Sequence, residues 1–315
     1  MPVPAQAASA RAAFGFTIAA CLLGTPALAQ TQPDSNRPFE ILDNSFLVEE
    51  AFNQDAGVFQ NIFSFTPRFG GGWEASFTQE WPVPGRRHQL SYTVPFSGID
   101  GSTHTDDVLL NYRVQILNEG DRRPALAPRL SLVLPTARAS DDQHDLGLQV
   151  NVPFSKQRGD WYLHWNVGVT WLPHARSPGA DPLALGRRAN LTSPMVAASA
   201  IWRVSPMLNV MLETLAESSE AVDEVGGTTR TTEVTVSPGL RRGWNIGDGK
   251  QIVVGLALPV KLVDGGTETS VLTYFSYELP FRSGGNTKST TASGESIKAS
   301  APVSSPTGNP TNPKP

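Results

Sequence analysis

The stretch GDWYLHWNVGVTWLP, Gly159 to Pro173, alternates without a break. Trp161, Leu163, Trp165, Val167, Val169 and Trp171 hold one parity, and Tyr162, His164, Asn166, Gly168 and Thr170 the other. Successive side chains of a strand point to opposite faces, so the segment predicts a β-strand with one wholly apolar face and one mostly polar face. A soluble sheet with its apolar face on a core shares that pattern. Three of the chain's seven tryptophans lie on this one face, and the spacing of the outer two narrows the choice. At about 3.3 Å per residue and a tilt of about 40°, Trp161 and Trp171 stand about 25 Å apart along a barrel axis. That is the height of the apolar band of an outer-membrane barrel, with an aromatic ring at each edge.

Composition agrees. Charged residues make up 17% of the chain and the mean hydropathy is -0.20, sparse in charge for a soluble domain and too polar for a helical membrane protein. Beyond the N-terminus no uncharged apolar run is long enough for a transmembrane helix. A barrel hides its hydrophobicity in alternation.

Residues 1–29 read as a cleavable secretory signal: Arg11, the apolar run AAFGFTIAACLLG, then small residues Ala27 and Ala29 before Gln30. The competing reading, a lipoprotein signal ending at Cys21, leaves only a short apolar core before the cysteine. With cleavage after Ala29 the single cysteine leaves, which excludes disulfides and cysteine catalysis. Residues 282–315 are rich in Ser, Thr, Gly, Pro and Asn and are expected to be a disordered low-complexity tail. The formal charge of -4, less Arg11 and less a tail of +3 (Arg282, Lys288, Lys298 and Lys314 against Glu295), leaves -8 on residues 30–281. That acidic body argues against nucleic acid as a partner.

Between the ends, twelve candidate strands of about ten residues are bounded by turn residues, an even number as bacterial single-chain barrels require. They lie near 57–66, 72–81, 88–96, 107–117, 125–135, 145–154, 160–172, 194–204, 207–216, 230–241, 250–260 and 270–281. The eighth and ninth also fit a helical pattern. Residues 57–281 are therefore expected to form an all-β, antiparallel up-and-down transmembrane barrel. With a periplasmic N-terminus, the longest connection, 173–193, falls outside, where such barrels carry long loops. The final strand ends on Phe275, Tyr277, Leu279 and Phe281, resembling the C-terminal signal read by the outer-membrane assembly machinery, although here a tail follows. Trp161, Trp171, Phe275, Tyr277 and Phe281 are the expected membrane-interface aromatics.

Parity assigns Glu74, Thr78, Glu80, Gln89, Ser91, Asn111, Arg113, Gln115, Arg129, Gln149, Asn151, His164, Asn166, Arg203, Asn209, Glu213, Glu233, Thr235 and Arg241 to the lumen. Two readings stand side by side: a charge-lined path for a small solute, or internal ion pairs that satisfy a nearly closed barrel. Residues 30–56 form a periplasmic segment in which NSFLVEEAFNQDAGVFQNI, Asn44 to Ile62, has the pattern of a short helix. It fits either a strap packed on the rim, the favoured reading, or a plug under the barrel mouth.

No phosphate loop, dinucleotide fingerprint or CxxC pair is present, and no cofactor, metal site or catalytic residue is expected. The five histidines lack the His-x-Ser arrangement of outer-membrane phospholipases, and the SDDQHDLG stretch reads as solvated loop charge.

The segments NSFLVEEAFNQDAGVFQ, DDVLLNYRVQ, PRLSLVLPT, LQVNVPFSK, LNVMLE, SPGLRRGWNI and VVGLALPV resemble the outer-membrane barrel proteins grouped as the MetA-pathway of phenol degradation family. The likeness spans about residues 44–281 and rests on strand patterns, so no site residue is carried over. LPTARASDD lacks the glycine that the family pattern places after Leu-Pro-Thr. The resemblance implies an outer-membrane barrel that transports small compounds, aromatic ones among them. The expected function is a channel or facilitator, with a structural or adhesive barrel of blocked lumen, or a surface hydrolase, as alternatives. The expected partners are the lipid bilayer with its lipopolysaccharide, the assembly machinery and a small-molecule solute.

Overall fold

A computed structural model describes residues 41, 43, 45–54, 57–83, 85–99, 101–137, 144–176, 188–223, 227–246 and 250–280. The signal segment, the tail and Phe281 lie outside them. The described residues form sixteen strands and no helix: β1 (Val58–Pro67), β2 (Trp73–Trp81), β3 (His88–Ile99), β4 (Ser102–Thr105), β5 (Val108–Val114), β6 (Ala125–Leu126), β7 (Arg129–Leu134), β8 (Gly147–Arg158), β9 (Trp161–Ala175), β10 (Ala189–Ser205), β11 (Leu208–Val222), β12 (Thr228–Asn245), β13 (Gln251–Ala257), β14 (Val260–Val263), β15 (Gly266–Thr269) and β16 (Leu272–Pro280).

Four pairs are single staves with a short break. β4 continues into β5, β6 into β7, β13 into β14 and β15 into β16, which leaves twelve staves. Each pairs antiparallel with its sequence neighbour, and β1 pairs β16 from Val58↔Pro280 to Phe65↔Thr273, closing the ring. The breaks follow from the residues there: proline has no amide for the ladder, and Pro128 and Pro259 fall in two of the gaps. The eighth and ninth candidate strands, ambiguous by pattern, are β10 and β11, fixed by pairing from Met195↔Glu217 to Ser205↔Leu208.

Strand parity sorts the wall. On β9 the odd residues from Trp161 to Trp171 are exposed, while Tyr162, His164, Asn166 and Thr170 are buried. Trp161 and Trp171 hold opposite ends of that outer face. At the end shared with the start of β1, Trp161 stacks on Trp202 at 6.2 Å, and outward-facing Trp81 and Trp244 lie at the same rim. Arg242, also outward, places its guanidinium 5.7 Å from the Trp244 ring, as expected of a cation reaching for an interface. Phe275 differs from expectation. It pairs with Phe63 at mid-height of β1, and Phe63 meets Phe77 at 4.8 Å, so it belongs to an aromatic patch of the wall rather than to an edge. Tyr277 is half-buried beside it, ring to ring at 5.9 Å.

Among the described residues of 44–62 the expected helix is not formed. Residues 45–54 run as irregular chain and β1 starts at Val58. The segment does not strap the rim either: every one of these ten residues is buried, inside the ring of staves.

Candidate functional site: the lumen and its plug

Irregular backbone at membrane depth persists only where its amides and carbonyls find partners, because no water is on hand to take them. The inner faces of the staves supply those partners. Leu47 and Val48 donate their amides to Glu213 Oε1 at 2.8 and 3.1 Å, Ala51 to Ser155 Oγ at 2.7 Å, and Gln54 to Gln89 Oε1 at 2.7 Å. Asn166 of β9 makes a reciprocal pair with Glu49, accepting its amide and donating to its carbonyl, both at 2.8 Å. Gln115 Nε2 donates to the Ala51 carbonyl at 2.8 Å.

The plug has two sides, and the lumen matches each. Its two glutamates face the sector of β5 to β9. Glu49, 1% exposed, takes Arg113 Nη1 at 3.1 Å, Arg129 Nε at 3.4 Å and Asn151 Nδ2 at 2.5 Å. Glu50 meets His164 Nε2 at 3.3 Å. Asp43 is gripped from β16 and β12 by the Tyr274 hydroxyl at 2.6 Å, by Ser276 and, on its carbonyl, by Arg241. The apolar side, Phe46, Leu47, Val48 and Phe52, packs with Met195, Ile201, Met211, Leu215, Val253 and Tyr274 in one buried cluster. Phe46 lies over two glycines: a Cβ on Gly255 would meet its ring at 2.1 Å and one on Gly239 at 3.1 Å. Gly255→Ala is therefore expected to force Phe46 out of its seat, at a cost of about 1–3 kcal/mol to plug docking. Limited proteolysis within 41–54 should rise in that variant while heat-modifiable gel migration, which reports the barrel, stays unchanged.

Most residues assigned to the lumen by parity do face inward, but few line open space. Arg113, Arg129, His164, Asn166, Glu213 and Arg241 are buried against the plug. Glu74 and Glu233 sit apart at the other mouth, where Arg68 lies 3.5 Å from Glu74 and Lys261 2.9 Å from Glu233. Arg203 does not line the lumen. It lies at the rim near the end of β10, 3.0 Å from Asp160, because parity alone does not say where a strand leaves the membrane.

One histidine does meet a serine, His164 Nδ1 to Ser155 Oγ at 2.7 Å. Ser155 is wholly buried and already accepts the Ala51 amide, so it is not presented to a substrate. Of the SDDQHDLG stretch, His144 bonds Asp107 at 2.6 Å and His174 bonds Asp145 at 2.8 Å. No metal-binding cluster occurs among the described residues.

A closed ring of twelve antiparallel staves with an apolar exterior, a polar interior and tryptophans at both rims defines the outer-membrane type of β-barrel. The sequence matches no protein-family model and no curated protein, so the likeness to the phenol-degradation family rests on the strand motifs alone. The fold is similar to that of the COG4313 outer membrane channel from Pseudomonas putida F1, at 11% identity and a TM-score of 0.57, covering 72% of this chain and 97% of that one. The NanC porin aligns at 10% identity and a TM-score of 0.46 over 70% of this chain and 100% of its own.

Proposed function

We propose that the chain is an outer-membrane facilitator that passes a small solute, without energy coupling, when residues 43–54 move aside. The observation that carries this reading is the independence of wall and plug. The ring closes through strand pairing alone, from β1–β16 round to β11–β12, whereas the plug amides are held by side chains. Displacing the plug breaks no ladder bond, and water entering the vacated lumen can satisfy its polar face, as in wider porins. The resemblance to the phenol-degradation family favours small aromatic compounds as solutes. The bilayer with its lipopolysaccharide and the assembly machinery are the partners this reading implies.

The filled lumen itself favours a second reading, a structural or adhesive barrel that never conducts. Deleting residues 43–54 separates the two. The facilitator reading expects the deletion variant to refold, to raise single-channel conductance in planar bilayers well above the parent's, and to admit phenol into liposomes. A refolded deletion variant as silent as a bare bilayer would leave the structural reading standing.

A further inference from the structure

The mouth opposite the rim where β1 begins holds a cavity that the plug does not fill. Its empty space is about 640 Å³ including the open side, and it is walled by β1, β2, β11, β12, the β14–β15 hairpin and the start of β16. Leu47, Leu215, Pro259 and Leu272 give it an apolar floor. Four carboxylates line it, Glu74, Glu217, Glu233 and Glu268, against two cations, Arg68 and Lys261. Arg68 is 3.5 Å from Glu74, and Lys261 is 2.9 Å from Glu233.

Glu217 is the odd one. It is only 3% exposed; its polar neighbours include the Ser219 hydroxyl on the same strand and the Lys261 ammonium, and neither carboxylate oxygen makes a well-formed hydrogen bond. Directly across the β11–β12 pair stands Glu233, another carboxylate. Like charges opposed in this way repel, and a buried carboxylate whose oxygens are poorly partnered is costly in its ionised form. Such an arrangement is satisfied by a cation from outside. The described residues hold no cluster able to bind a metal ion, and most of the lining surface is hydrocarbon. Both facts point away from a bare ion and towards one carrying its own apolar body.

We infer that this vestibule binds a small organic ammonium ion, its nitrogen donating to Glu217 and its carbon chain lying on Leu47, Leu215 and Leu272. The inference deepens the facilitator reading, and rests on it for the claim that the bound cation is cargo. Leu47 belongs to the plug, so an occupant would touch the very segment that must move.

Calorimetric titration of the purified full chain with n-butylammonium, at about pH 8.5 where carboxylates are ionised and the amine keeps its proton, tests the binding. The unaltered protein should bind n-butylammonium and neither 1-butanol nor butyrate. Glu217→Gln should weaken binding by about tenfold or more, as loss of a charge-assisted contact does. Glu119→Gln, at the opposite rim where Glu119 bonds Lys156 at 3.0 Å, should bind as the parent does. If Glu217→Gln does not refold, Glu217→Asp takes its place and should weaken binding by a smaller factor. Failure of the unaltered protein to prefer n-butylammonium over 1-butanol, an unaffected Glu217 variant, or equal uptake of magnesium ion at the same residue would each overturn the inference. A chain that conducts once the plug is deleted but binds no n-butylammonium would sink this inference alone. One that binds it but stays closed would sink only the facilitator reading.

Discussion

Glu49→Gln releases the plug. The substitution keeps the shape of the side chain but leaves Arg113 and Arg129 buried without the anion that both contact, at 3.1 and 3.4 Å. Removing one partner of a buried ion pair costs about 3–5 kcal/mol, because the remaining charge has lost its compensation without regaining water. The barrel has a cheaper escape than unfolding. If residues 43–54 leave the lumen, water reaches both guanidinium groups and no strand pairing is lost. The expected outcome is normal refolding and heat-modifiable migration, rapid proteolysis within 41–54, and raised conductance. A Glu49→Gln protein as quiet and as protease-resistant as the parent would show that the plug is held chiefly by its apolar side, Phe46 against Tyr274 of β16 and Phe52 against Tyr162 of β9.

The second large effect sets neighbouring residues of β9 against each other. Val167 is 53% exposed on the outer face, midway between Trp161 and Trp171, and pairs with Val152 and Val196. In a bilayer, Val167→Arg is expected to cost about 2–4 kcal/mol of folding free energy, against about 0–1 for the same charge at a membrane edge. Asn166, one residue earlier, faces inward and holds Glu49 through both of its amide groups. Asn166→Arg should leave refolding into lipid vesicles near the parent's and instead expel the plug. Vesicle refolding titrations read the first quantity and conductance the second. Stable Val167→Arg together with unfoldable Asn166→Arg would mean that the faces are reversed.

Parity in the sequence located the staves because an outer-membrane wall has two solvents, lipid outside and polar groups inside, and each strand must answer to both. The same parity placed Arg113, Arg129, Asn166 and Arg241 inside. It could not say what they face, because their partners lie far away in sequence: Arg113 meets Glu49 across 64 residues and Asn166 meets it across 117. A signal did exist. Glu49 and Glu50, adjacent acids ahead of the first strand, set against inward Arg113 and Arg129 on strands that carry no acid of their own, read as unpaired charge on both sides. The helical pattern of the same stretch misled because irregular chain clasped on all sides by side chains needs no period of its own. Arg203 and Phe275 were misplaced for a simpler reason: alternation fixes a face, not a height.

Height is also where the ring is uneven. β12 has 18 residues and β10 has 17, whereas β2 has 9. At about 3.3 Å per residue and a tilt of about 40°, 18 residues rise about 45 Å and 9 rise about 23 Å, so only the shorter staves match the hydrocarbon layer. Outward polar groups mark where the long staves emerge: Arg230 bonds Glu220 at 2.6 Å and the Thr192 carbonyl at 3.2 Å, a network with no place among acyl chains. The rim is thus a slope, with a parapet over β9 to β12 and a low sill at β1 and β2, beside which Arg68 and Glu74 stand. On the facilitator reading, a solute approaching along the membrane surface from the sill side has a lower wall to cross than one approaching from the parapet side.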